Sequence, residues 1–122
     1  MAAKYIDFLV TGDPAAARAT AEQALLARRF RVVWHDDWNA TAERGSQLAN
    51  ALAGAFAQYF RVGVSLMSSD PGETTVRVEQ QTIGMLGGLV GMSRVRRNMA
   101  TLRSELEATF QAAGVLRGVS EA

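Results

Sequence analysis

Three groups of residues in this 122-residue chain have types and spacings that could do chemistry. The first is His35-Asp36-Asp37, which holds the only histidine of the sequence. A histidine beside two carboxylates suits an acid–base pair or a metal site, and His35 and Asp37 are the residues an enzymatic reading selects. Adjacent aspartates between two extended runs also form turns, with their carboxylates in solvent, and that is the expected role here. The second group is mixed charge. Asp7, Glu43 and Glu79 alternate with Arg31, Arg61 and Arg77 on one predicted sheet face. A carboxylate pair there could serve hydrolysis, but ordinary cross-strand pairing accounts for the same pattern.

The third group is TIGMLGGLVGMSRVRR, residues 82–97, where an apolar, glycine-rich run meets a cluster of arginines. Glycine-rich backbone ahead of a helix can bind phosphate through its amides. However, Gly84-x-x-Gly87-Gly88-x-x-Gly91 fits neither GxGxxG nor GxxxxGK[ST], and its intervening bulky residues are apolar. The same run beside Arg94, Arg96 and Arg97 also has the character of an interfacial membrane helix. Solvated arginines at a helix start explain it equally well. The longest uncharged apolar stretch, Ile83 to Met92, is about half the roughly 20 residues that span a bilayer.

Composition limits what these groups can mean. Apolar residues make up 48% and charged residues 20%, which is globular rather than disordered. Net charge is +1, so no general attraction draws the chain to nucleic acid or anionic lipid, and no nucleic-acid partner is expected. The absence of cysteine removes disulfides, thiolate metal sites and thiol nucleophiles. With one histidine and no metal-ligand spacing, neither a cofactor nor a metal is expected. Asp7 and Asp13 interrupt the opening residues before any apolar run long enough for a signal sequence, so a cytoplasmic location is expected.

The elements that must position these residues follow from periodicity. Lys4 to Val10 alternates as a half-buried strand. Asp13-Pro14 is an N-cap followed by a first-turn proline, and it opens an alanine-rich helix whose inner stripe is Ala17, Ala21, Ala24 and Leu25. Phe30–Trp34 and Trp38–Arg44 predict a hairpin around His35-Asp36-Asp37, with Trp34 and Trp38 placed to meet across it. Ser46 is a candidate cap for a short helix carrying Leu48, Leu52 and Phe56, though strand or irregular structure also fits residues 46–58. Phe60–Met67 and Thr74–Gln81 alternate as paired strands around a turn over residues 68–73. Val95, Met99, Leu102, Leu106, Phe110 and Ala113 form one stripe on a long final helix, which Gly114 stops.

The expected fold is α+β, one domain spanning residues 1–122. It has an antiparallel sheet of about four to five strands with two main helices on one face, in the order β-α-β-β-β-β-α with a long C-terminal helix. This order is similar to the TATA-binding-protein-like and helix-grip folds; the resemblance covers element order alone and implies no function.

Extending the terminal stripe backward from Val95 reaches Gly91, Gly88 and Gly84, so the glycines continue the sheet-facing side. Several interior glycines each cost about 0.5–1 kcal/mol against alanine, so either the sheet approaches closely there or the segment is not helical. Gly87 and Gly91 also stand at GxxxG spacing, a hint of close backbone contact. Met85, Leu86, Leu89 and Val90 then form an apolar patch needing cover, from Leu48, Leu52 and Phe56 or from another molecule. The first functional expectation is therefore a non-catalytic domain that self-associates as a homodimer, or docks another protein, through Met85, Leu86, Gly87, Leu89, Val90 and Gly91. The second is an apolar small-molecule carrier with a cavity lined by Phe8, Trp34, Phe60, Met99 and Phe110. An enzyme is the third.

Overall fold

The computed structural model describes residues 4–45, 60–81 and 88–122, with backbone alone at residues 69 and 88–94. Its elements are β1 (Tyr5–Thr11), α1 (Pro14–Ala27), β2 (Arg31–Trp34), β3 (Asn39–Arg44), β4 (Phe60–Asp70), β5 (Glu73–Gln80), α2 (Gly88–Ala112) and β6 (Leu116–Glu121). All strands join one antiparallel sheet ordered β2-β3-β4-β5-β1-β6, with both helices on one face. The α+β class and the long late helix are as expected, and β6 adds a strand after α2.

Alternation assigns the two faces. Ile6, Phe8 and Val10 of β1, Val76 and Val78 of β5, Val62, Val64 and Leu66 of β4, and Ala40 and Ala42 of β3 are buried under the helices. Ala17, Ala21 and Leu25 line α1, and Val95, Met99, Leu102, Leu106 and Phe110 line α2. Small side chains on α1 let its backbone approach the sheet, while α2 supplies the bulk. The Phe8 and Phe110 rings meet with centroids 5.7 Å apart, and Phe30 meets Phe60 edge-on at 6.1 Å. Such aromatic contacts add about 0.5–1.5 kcal/mol beyond burial. Ala113, expected on the stripe, is exposed because α2 ends at Ala112 and the chain turns away.

The helix ends show how the chain reverses. Asp13 accepts a hydrogen bond from the Ala16 amide at 2.8 Å, the N-cap expected for α1. At its other end the Arg29 amide bonds Leu26 O and the Phe30 amide bonds Leu25 O, closing a Schellman motif with Arg29 at φ 66°. Helix α2 closes the same way, with Gly114 at φ 74° and bonds from Gly114 N to Gln111 O and Val115 N to Phe110 O. Glycine fills that left-handed position freely, whereas arginine there is strained by about 1 kcal/mol. The predicted turn over residues 68–73 contracts to Pro71-Gly72, since β4 continues through a register shift to Asp70.

Two substitutions test this reading by denaturant midpoint. Arg29→Gly is expected to stabilise the protein by about 0.5–1 kcal/mol and Gly114→Ala to destabilise it by about 1 kcal/mol. Phe110→Ala, which removes the ring against Phe8, is expected to cost about 3–5 kcal/mol.

Candidate functional site

The His35-Asp36-Asp37 connection is built as a turn. Asp36 Oδ1 accepts from the backbone amides of Trp38 at 2.7 Å and Asn39 at 2.8 Å, and the Asn39 side-chain amide donates to both carboxylate oxygens. These bonds, first from the Trp38 amide and next from the Asn39 side chain, hold the Asp36 carboxyl below its ordinary pKa. His35 Nε2 lies 2.7 Å from Thr41 Oγ1, and Asp37 lies 3.7 Å from Arg18 on α1. The two residues of the enzymatic reading thus have different partners. Trp34 and Trp38 do not carry out the expected meeting across the hairpin. Trp34 instead donates from Nε1 to Glu22 at 3.1 Å with the Arg18 guanidinium 4.1 Å over its ring, while Trp38 is exposed. The pull of α1 decides this, because it offers Trp34 both a carboxylate for its N–H and a cation for its face.

The charged residues do share the sheet face away from the helices. Asp7 stands opposite Arg77 and accepts from its Nε and Nη2 at 2.8 and 2.9 Å, a forked pairing. The Arg77 guanidinium also sits 3.9 Å from the Tyr5 ring centroid. Arg31 pairs with Glu43 across β2 and β3, and Arg117 lies 3.8 Å from Glu73. These contacts are the cross-strand pairing that explains a mixed-charge face.

The glycine-rich stretch is reached in part. Met85, Leu86, Gly87 and Gly84 lie outside the described residues, as do Ser46, Leu48, Leu52 and Phe56. Leu89, Val90 and Gly91 belong to the first turns of α2, which begins at Gly88. Five residues of helix therefore precede Ser93, and Gly88 and Gly91 stand in helical register with Val95 and Met99. Phe110 is fixed to Phe8, and Gly88 is 22 residues earlier, about 33 Å along the axis. From the level of Phe8 and its row mates Val76 and Leu66, the sheet continues six residues to Phe60, about 20 Å. The first turns of α2 consequently lie at or beyond the Phe60 end of the sheet.

Of the residues expected to line a cavity, Phe8, Phe60, Met99 and Phe110 are core residues, and Trp34 is half-buried at the β2 margin. Phe8 and Phe110 are joined directly, Phe60 faces Phe30, and Trp34 turns to α1.

One structural feature had no signal in composition or periodicity. The Leu66 amide donates to Trp38 O at 2.8 Å, which fixes the hydrogen-bond phase of β3. Even-numbered β3 residues bond β4 and odd-numbered ones bond β2, consistent with the His35 amide donating to Asn39 O at 2.8 Å. On β2, Arg31 and Val33 therefore bond inward, and the amides and carbonyls of Val32 and Trp34 point outward from the sheet edge.

No protein-family model matches the chain, and no curated protein matches it. Among solved structures it is similar to a chain of "Crystal structure of the adenylate sensor from AMP-activated protein kinase complexed with ATP". Identity is 13% and the TM-score 0.57, over 80% of this chain and 92% of that one. At that identity the likeness is one of fold alone. Among the described residues, no helix is long and apolar enough to cross a membrane.

The Asp36 turn yields a pH prediction. A carboxyl whose folded pKa is depressed contributes stability above its ordinary pKa, and that contribution disappears as pH falls through the depressed value. Asp36→Ala is therefore expected to lower the denaturation midpoint at neutral pH. The difference from the parent should shrink toward zero as the pH falls below the ordinary carboxylate range, followed by parallel denaturant titrations.

Proposed function

We propose that this chain is a non-catalytic interaction domain that self-associates through the start of α2. The reach of that helix supports the reading most directly. Its first turns extend to the Phe60 end of the sheet, carrying Leu89, Val90 and Gly91 with Met85, Leu86 and Gly87 just ahead in sequence. Uncharged residues at such a helix start gain most from burial against another surface, and glycines let two backbones approach closely. The groups that could do chemistry supply a second line of support. Asp36 closes a turn, Asp7 and Arg77 pair across strands, and His35 contacts a threonine hydroxyl. The partner expected is a second copy in the cytoplasm.

Light scattering on the purified chain should give a mass of at least a dimer. Leu89→Asp and Val90→Asp should each weaken it by roughly 100-fold, the scale of an interface hot spot, with the circular dichroism spectrum unchanged. Unchanged mass in both variants would show that the start of α2 is not the contact.

A further inference from the structure

The two edges of the sheet are built differently. Edge β6 is blunted by a register shift opposite Leu9 and Val10, by Gly118, and by the charges of Arg117 and Glu121. Edge β2 reads Arg-Val-Val-Trp, with no glycine, proline or bulge among its paired residues. Its outward amides and carbonyls belong to Val32 and Trp34, two apolar residues flanking Val33. Val33 itself is 49% exposed and faces away from the helices.

We infer that β2 is a docking edge for β2 of a second copy, paired antiparallel about a two-fold axis at Val33. That register sets the outward amide of Val32 against the carbonyl of Trp34 and the reverse, giving four backbone hydrogen bonds. Moving the axis one residue either way loses part of this match. On one face Val32 opposes Trp34, an aromatic to β-branched cross-strand pair, and on the other the two exposed Val33 side chains meet. Charge favours the same arrangement. Beyond Phe30 on one side of β2 stand Arg29 and Arg28, the latter paired with Glu105, and beyond His35 on the other stand Asp36 and Asp37, so antiparallel pairing brings each basic flank toward the acidic flank of its neighbour. Arg29 in the turn that ends α1 and Asp37 in the hairpin turn beside Arg18 lie beyond the paired residues, and the Asp37 side chain is 92% exposed. This contact is separate from the start of α2. A chain with two self-complementary surfaces would close into a tetramer or extend into a polymer.

The test uses the full chain. Amide hydrogen exchange at Val32 and Trp34 should slow by about tenfold or more as protein concentration is raised into the associating range. Val33→Lys, which sets two ammonium groups across the axis at a solvent-exposed position, should abolish that slowing and weaken association by about tenfold. Arg29→Asp and Asp37→Arg should each weaken it, and the double variant should restore it. Val90→Asp should leave the concentration-dependent protection of Val32 and Trp34 in place, which separates this contact from the one at α2. Exchange at Val32 and Trp34 that does not depend on concentration would overturn the inference, as would Val33→Lys protein that associates like the parent.

Discussion

The ring contact of Phe110 with Phe8, 5.7 Å between centroids, joins the far end of α2 to the strand on which the sheet is organised. Strand β1 is flanked by β5 and β6, so it receives the late elements of the chain from both sides. Once Phe110 is seated there, helical rise determines where the rest of α2 lies. Leu106, Leu102, Met99 and Val95 follow on the same face, and Gly88 is carried to the opposite end of the sheet. The left-handed Gly114 then turns the chain back so that β6 can pair with β1. The sheet, the reach of the helix and the closing strand are consequences of one packed seam.

Much of this was legible because periodicity and capping are local. The 3.6-residue stripe of α2, the alternation of β1, β4 and β5, and Asp13 before Pro14 each declare themselves within a few residues. Strand β6 does not. Leu116–Glu121 holds one glycine and a register shift, so its alternation is broken, and it becomes a strand only because β1 offers an open edge. Arg29 in a left-handed conformation is similarly silent, since the usual glycine is absent and Phe30 burying beside Leu25 enforces the turn. The choice of Trp34 for α1 over Trp38 depended on Glu22 and Arg18, which are remote from the hairpin in sequence.

For the candidate site the division is sharper. The sequence pattern placed Asp7, Arg31, Glu43, Arg61, Arg77 and Glu79 on one sheet face, because alternation assigns faces without reference to tertiary contacts. The role of Asp36 as a turn former was equally local. The outward hydrogen-bonding groups of Val32 and Trp34 were not readable at all, because hydrogen-bond phase depends on which neighbour each strand acquires. The patch at residues 85–91 was drawn from spacing alone; Met85, Leu86 and Gly87 lie outside the described residues, and the backbone from Gly88 onward is helical.

The side chains singled out for chemistry are held in turns and cross-strand pairs, and the proposed contacts are the β2 edge, where Val33 is exposed, and the start of α2. Native mass spectrometry of the unmodified protein over a range of concentrations addresses that account most directly, since it reports subunit number and any retained small molecule together. The account predicts assemblies built from dimers, increasing with concentration and carrying no bound ligand. A monomer at every concentration, or a monomer that retains a small apolar molecule, would contradict it.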